Sequence, residues 1–215
     1  MNRARGVVDT WHDLLTNLTA QGVNIFAASG DGGSNPDELG NPKAGPLQTQ
    51  YPASDPAVIS VGGTSLTLDG NGAVASESGW SRSGGGMSVL FQRPVWQVGN
   101  GVPDGTQRAV PDISLVADPS PGALTIVKGT PQVEGGTSWA APVYAALCAL
   151  LNQGRVDNGQ ALLPFLNPVL YPMLGTAALR DITSGANGAY SAGPGYDMVT
   201  GVGVFNMPAL LAGLP

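Results

Sequence analysis

The side chains best able to do chemistry fall in three short segments. Ser138 lies in GGTSWAAP, residues 135–142, directly after a strand-like stretch and at the head of a long apolar pattern. A hydroxyl at a helix N-terminus sits beside free backbone N–H groups and the positive end of the helix dipole, which stabilise an oxyanion, and the glycines let a substrate backbone come close. Capping the helix is the competing role for the same serine. Asp31 lies in ASGDGGSN, residues 28–35, at the carboxyl end of the apolar run VNIFAA. Ligands of α/β sheets bind outside the carboxyl ends of strands, which makes Asp31 a candidate, although Asp and Gly also serve as plain turn residues. Asp181 and Asp197 bracket a glycine-rich loop, residues 181–203. Its carboxylates and bare carbonyls could complete an oxygen shell for a hard cation, or form an ordinary surface loop.

These groups need elements to position them. Val7, Val8, Trp11, Leu14, Leu15 and Leu18 recur every three or four residues, which predicts a helix over about residues 4–20 with Asp9 and Asp13 opposite its apolar stripe. Gly22 stops it. The unbroken run from Val23 to Ala28 predicts a strand buried on both faces, so helix and strand together indicate an α/β fold. Val58–Val61 and residues 65–68 read as two more short strands, the first leading into Gly62-Gly63. Residues 71–121 are turn-rich, with one further strand at Ile113–Val116. Leu124–Val127 and Thr130–Val133 flank Lys128-Gly129 and predict a hairpin. Ser138 then opens a helix with Pro142 in its first turn and VYAALCALL apolar all round, the pattern of a buried central helix.

Composition narrows the function classes. Charged residues are 11% and hydrophobic residues 42%, which specifies a packed core rather than a disordered chain. With 15 acids against 9 bases there is no basic stripe to neutralise phosphates, so no nucleic-acid partner is expected. Cys148 is the single cysteine, which excludes a disulfide framework and a thiolate metal cluster. The longest apolar stretch, Val143–Leu151, is half a membrane span, so no membrane partner is expected. Asp9, His12 and Asp13 interrupt the N-terminal segment, which is no signal peptide. One domain is expected.

The three segments, in this order, resemble the sedolisins, the serine-carboxyl peptidases of subtilisin-like fold. SGDGGS is similar to their SGDSG, GGTSWAAP to their GGTSxxxP, and AGPGYDMVTGVG to their calcium loop. SRSGGGMS at 81–88, Pro94, Trp96 and VPDIS at 110–114 extend the likeness over essentially the whole chain. The resemblance implies a three-layer α/β domain with a mostly parallel sheet, and a secreted, acid-acting endopeptidase that takes peptides or unfolded proteins. It implies Ser138 as nucleophile and Asp31 as the oxyanion-hole acid, whose carboxyl must be protonated to donate a hydrogen bond. Ala28, Ser29, Gly30, Gly84, Gly85, Gly86, Gly136 and Thr137 match the substrate-binding segments. One Ca²⁺ would be held by the carboxylates of Asp181 and Asp197 and the carbonyls of Ile182, Gly193 and Gly195. Gly32 and Phe205 depart from the family's usual serine and proline, and neither departure removes a functional group.

Sedolisins activate their serine with a glutamate, oriented by an aspartate one helical turn later. Asp9 and Asp13 have that spacing but are expected to face solvent, and His12 reads as a surface histidine on the flank of the same helix. Glu38, Glu77 and Glu134 have no aspartate four residues on. The expectation is therefore the C-terminal part of a catalytic domain, inactive alone, whose bare sheet edge is covered by the missing N-terminal part or by a homodimer partner. The alternative is a non-catalytic, calcium-stabilised peptide-binding module.

Overall fold

The computed structural model describes residues 2–42 and 45–213. Helix α1, Asn2–Ala20, ends at Gly22, whose φ of +85° lets Val23 N–H donate back to the Leu18 carbonyl at 3.1 Å. Next come β1 (Phe26–Ala28), β2 (Ile59–Leu68), β3 (Val74–Gly79), β4 (Gly86–Gln92), β5 (Gln107–Val110) and β6 (Ile113–Val116). The hairpin of β7 (Ala123–Val127) and β8 (Thr130–Glu134) leads into α2 (Thr137–Asp157). The short α3 (Asn167–Leu170), β9 (Leu179–Arg180), β10 (Val204–Phe205) and α4 (Met207–Gly213) complete the described chain.

The spine of the main sheet is β2. It runs parallel to β1, with Phe26 opposite Ile59, and parallel to β6, with Val61 opposite Ile113; β3 lies antiparallel to its second half. The sheet is thus mixed, with two of its three pairings parallel. Alternation along β1 builds three layers. Phe26 and Ala28 join Ile59, Val61 and the α2 residues Tyr144 and Cys148 in the main core. Ile25 and Ala27 turn the other way and pack with Val58 against Leu15 of α1. The α/β, subtilisin-like, three-layer expectation holds.

Several local expectations are corrected. The strand in VNIFAA covers only Phe26–Ala28, half-buried at the sheet edge, because among the described residues β1 pairs with β2 alone. The two short strands expected on either side of Gly62-Gly63 are one ten-residue strand. Those glycines lie inside it because any side chain there would collide with Ser114, Pro111, Ala117 or Trp80. The turn-rich stretch contains β3, β4 and β5 besides β6. Helix α2 buries one face only, through Ala140, Ala141, Tyr144, Cys148 and Leu151, while Leu150 is 69% exposed.

The apolar stripe expected on α1 splits into two lines. His12, Leu15 and Thr19 face the sheet: Thr19 Oγ1 donates to the Ala57 carbonyl at 3.0 Å, and His12 Nδ1 lies 2.9 Å from the buried carboxylate of Asp55. Polar anchoring to the turn before β2 fixes this rotation. Val7, Trp11, Leu14 and Leu18 are left between 43% and 58% exposed. His12 is therefore a half-buried anchor rather than a free surface histidine.

Under the sheet lies a buried ion pair. The Arg108 guanidinium meets both oxygens of Asp112, at 2.7 and 2.5 Å, with neither side chain accessible to solvent. Asp112 also accepts from Ser60 N–H at 2.8 Å, Tyr171 Oη at 2.8 Å and Asn167 Nδ2 at 3.3 Å. Burial alone would ease the proton off Arg108, but Asp112 beside it outweighs this and holds its pKa above the usual value. Arg108→Met is expected to strip Asp112 of its countercharge and cost about 3–5 kcal/mol. Replacing Asp112 by Leu in the same chain should recover part of that loss, measured by denaturant unfolding of the three proteins.

Candidate active site

The loop after β1 and the start of α2 meet at Asp31. Asp31 Oδ1 accepts from the Thr137 backbone N–H at 2.7 Å and from Thr137 Oγ1 at 2.8 Å. Thr137 Oγ1 in turn accepts from Gly30 N–H at 3.1 Å. Oδ1 is occupied by two donors, and no described residue bonds to Oδ2. It lies against Gly136, where a Cβ would come within 2.6 Å of it; Gly136 also sits at φ +94°, which excludes side chains a second way.

Ser138 follows as the second residue of α2. The N-cap is Gly136, without side-chain capping, so the N-cap role weighed for the serine belongs to another residue. The Ser138 side chain is exposed and has no hydrogen-bond partner among the described residues. Its backbone N–H, in the first turn of the helix, is likewise unpaired there. An exposed hydroxyl and an unpaired helix N–H thus belong to the residue that follows Thr137, which holds Asp31, and they are groups of the kind that serve acyl transfer.

The remaining residues expected to bind substrate lie in two segments that are bonded to each other beside Asp31. Ser29 N–H donates to the Val61 carbonyl at 2.9 Å and Gly84 N–H to the Gly30 carbonyl at 2.8 Å, so the 28–30 and 84–86 segments are laced together. Gly84, Gly85 and Gly86 are buried: a side chain on Gly84 would strike the Ser29 carbonyl, and one on Gly85 the Met198 carbonyl. No glutamate or histidine hydrogen-bonds to Ser138 among the described residues. Glu77 is held by Thr64 and Arg180, His12 by Asp55, and Asp9 and Asp13 are exposed on α1.

The third segment closes on itself near the C-terminus. Asp181 Oδ2 accepts from Gly195 N–H at 2.8 Å, and Asp197 Oδ2 from Gly193 N–H at 3.1 Å. Asp197 Oδ1 accepts from the N–H groups of Val199 and Thr200, at 2.9 and 2.8 Å. Thr200 Oγ1 lies between Asp197 and the Ile182 carbonyl. Asp181, Ile182, Gly193, Gly195 and Asp197 are therefore gathered in one loop. Burial pushes the Asp197 carboxyl above the usual range despite these hydrogen bonds, and no described basic side chain pairs with it.

Comparison with known proteins finds relatives over most of the chain. The chain is 38% identical to kumamolisin of Bacillus sp. over 202 residues, covering 86% of this chain and 35% of that protein. It is 33% identical to sedolisin of Pseudomonas sp. over 227 residues, covering 97% of this chain and 38% of that protein. The solved structure of Pseudomonas sedolisin, complexed with two molecules of pseudo-iodotyrostatin, superposes with a TM-score of 0.83 at 32% identity, over 98% of this chain and 60% of that one. No family model matches the sequence. The chain belongs to the sedolisin family.

It spans little more than a third of the length of the curated sedolisins it matches. Within that span the structure brings together Asp31 and Thr137, with Ser138 next in the chain. The sequence did not single out Arg82, inside the sedolisin-like SRSGGGMS, whose Nε donates to the Asp31 carbonyl at 2.9 Å. Only the residue type in a glycine-rich segment hinted at it, since the contact spans 51 positions.

Proposed function

We propose that this chain is the C-terminal part of a serine-carboxyl endopeptidase domain, supplying the nucleophile and the oxyanion hole while the glutamate–aspartate base pair comes from polypeptide outside it. The observation that carries the reading is that Thr137, which gives both of its donors to Asp31 Oδ1, directly precedes Ser138 at the head of α2. Ser138 would attack the scissile carbonyl, and the oxyanion formed would take hydrogen bonds from the helix N–H and the protonated Asp31 carboxyl. The serine proton needs a base, and none of the described side chains offers one. By the family resemblance the whole enzyme would be secreted and acid-acting, working on peptides or unfolded protein.

The same reading assigns one Ca²⁺ to the loop of Asp181 and Asp197. The donor set fits: a buried carboxylate without a countercharge, a second carboxylate in the same loop, and carbonyls of Ile182, Gly193 and Gly195, all oxygen ligands suited to a hard cation. The ion would neutralise Asp197 and fix the loop. It has no part in the peptide chemistry. The exposed line of Val7, Trp11, Leu14 and Leu18 and the open edge of β1 would be covered by the rest of a sedolisin domain or, in its absence, by a second copy of the chain.

Incubated with an unfolded protein from acid to neutral pH, the isolated chain is expected to give no hydrolysis. Turnover that Ser138→Ala abolishes would show a base within these residues and overturn the fragment reading. Calcium should raise the melting temperature relative to chelator, by about 2.7 kcal/mol of stability at a hundredfold excess over Kd. Coincident melting curves, or an Asp197→Ala variant with the full response, would remove the site. Light scattering over a concentration series should give a dimer that dissociates on dilution; a strict monomer at all concentrations would rule out covering by a second copy.

A further inference from the structure

Arg82 is held in place without being neutralised. Its Nε–H donates to the carbonyl of Asp31 at 2.9 Å, and its guanidinium carbon lies 5.9 Å from the ring centre of the buried Trp80. The backbone under it is fixed as well. Gly33 N–H donates to the Arg82 carbonyl at 3.0 Å, Ser83 N–H to the Trp80 carbonyl at 2.9 Å, and Ser83 Oγ to the Val199 carbonyl at 2.7 Å. These bonds, with Gly84 N–H on Gly30, lace residues 30–33 to residues 82–84 beside the oxyanion-hole acid. Yet Arg82 is exposed, its two terminal nitrogens have no hydrogen-bond partner, and no carboxylate pairs with it among the described residues. Two other arginines, Arg108 and Arg180, are by contrast committed to the carboxylates of Asp112 and Glu77.

A guanidinium offers parallel N–H donors matched to the two oxygens of a carboxylate, and pre-positioning lowers the entropy lost on pairing. In a chain of net charge −6, a cation anchored at the reaction centre with its terminal donors free is poised to meet an anion that arrives with a ligand. We propose that Arg82 is a specificity residue that pairs with a carboxylate of the bound peptide, either an acidic side chain or the C-terminal carboxylate. This rests on the peptidase reading, because it takes the loop of Asp31 as the wall of a peptide cleft.

The test is fluorescence polarisation of the full chain with labelled, C-terminally amidated octapeptides of alanine and glutamine. In one series a single Glu replaces Gln at each position in turn; in a second the all-Gln parent carries a free C-terminal carboxylate. One Glu register, or the free acid, is expected to bind about 3- to 10-fold tighter than the amidated parent. That gain should shrink at about 0.5 M salt, where exposed charges are screened. A gain confined to the Glu series identifies an acidic side chain as the source, and one confined to the free acid identifies the terminus. Arg82→Gln should erase the gain while leaving the amidated parent's affinity in place, and Arg82→Lys should retain part of it. Equal binding of all peptides, or a preference that survives Arg82→Gln, overturns the assignment and leaves the cleft intact. Failure of every peptide to bind overturns the cleft reading and the assignment with it.

Discussion

The buried carboxylate of Asp112 is the interaction on which the arrangement depends. A charge with no access to water survives only if it is paired and its lone pairs are used, and Asp112 meets both conditions through Arg108, Ser60, Asn167 and Tyr171. Those partners come from β5, the start of β2, α3 and the turn after it. Its backbone extends the same role: Asp112 N–H donates to the Ser60 carbonyl, and Val202 N–H donates to the Asp112 carbonyl at 2.8 Å. One residue thus ties the central strand to the C-terminal loop. Gly201, packed against the Asp112 carbonyl with φ at +65°, is a glycine because that approach leaves no room for a side chain.

On this frame the active-site groups are set by backbone rather than by side-chain reach. Asp31 follows β1, and Ser138 is delivered by the turn from β8 into α2, where Gly136 N–H meets the Ala117 carbonyl at 2.5 Å just beyond β6. Since β1 and β6 flank β2 on opposite sides, the Asp31 and Ser138 segments approach each other across the carboxyl ends of parallel strands. Thr137 closes the gap by giving both of its donors to Asp31. It also orders the carboxylate, leaving one oxygen committed and one free.

The molecule is well resolved into a finished and an unfinished side. Beneath α2 the core is continuous from Ile59 to Leu210 and closed by aromatic contacts such as Tyr144 with Phe205, whose ring centres are 4.9 Å apart. On the α1 side only Leu15, Ala57 and Val58 are buried in a small cluster, and the outer line of α1 stays in water. The outer line of α1 is thus the apolar surface left without a packing partner among the described residues.

The amino-acid sequence by itself determined the α/β class, the hairpin before the nucleophile, the end of α1 at Gly22 and the roles open to Ser138 and Asp31. These are local: each rests on periodicity, a turn residue or a motif within a few positions. It also grouped Asp181 and Asp197 in one C-terminal loop, since they are close along the chain. What it did not determine was anything settled by a neighbour distant in sequence. The rotation of α1 follows from Asp55 and Ala57 bonding to His12 and Thr19, so hydrophobic spacing alone chose the wrong line. Gly62 and Gly63 look like a turn until Ser114 and Trp80 press on them from adjoining elements. Helix α2 looks buried all round because its exposed side is apolar too, and only the position of the sheet selects Tyr144 over Leu150. Arg82 acquires meaning only where folding brings it to the Asp31 carbonyl, because a hydrogen bond across 51 residues leaves no periodic trace in the chain.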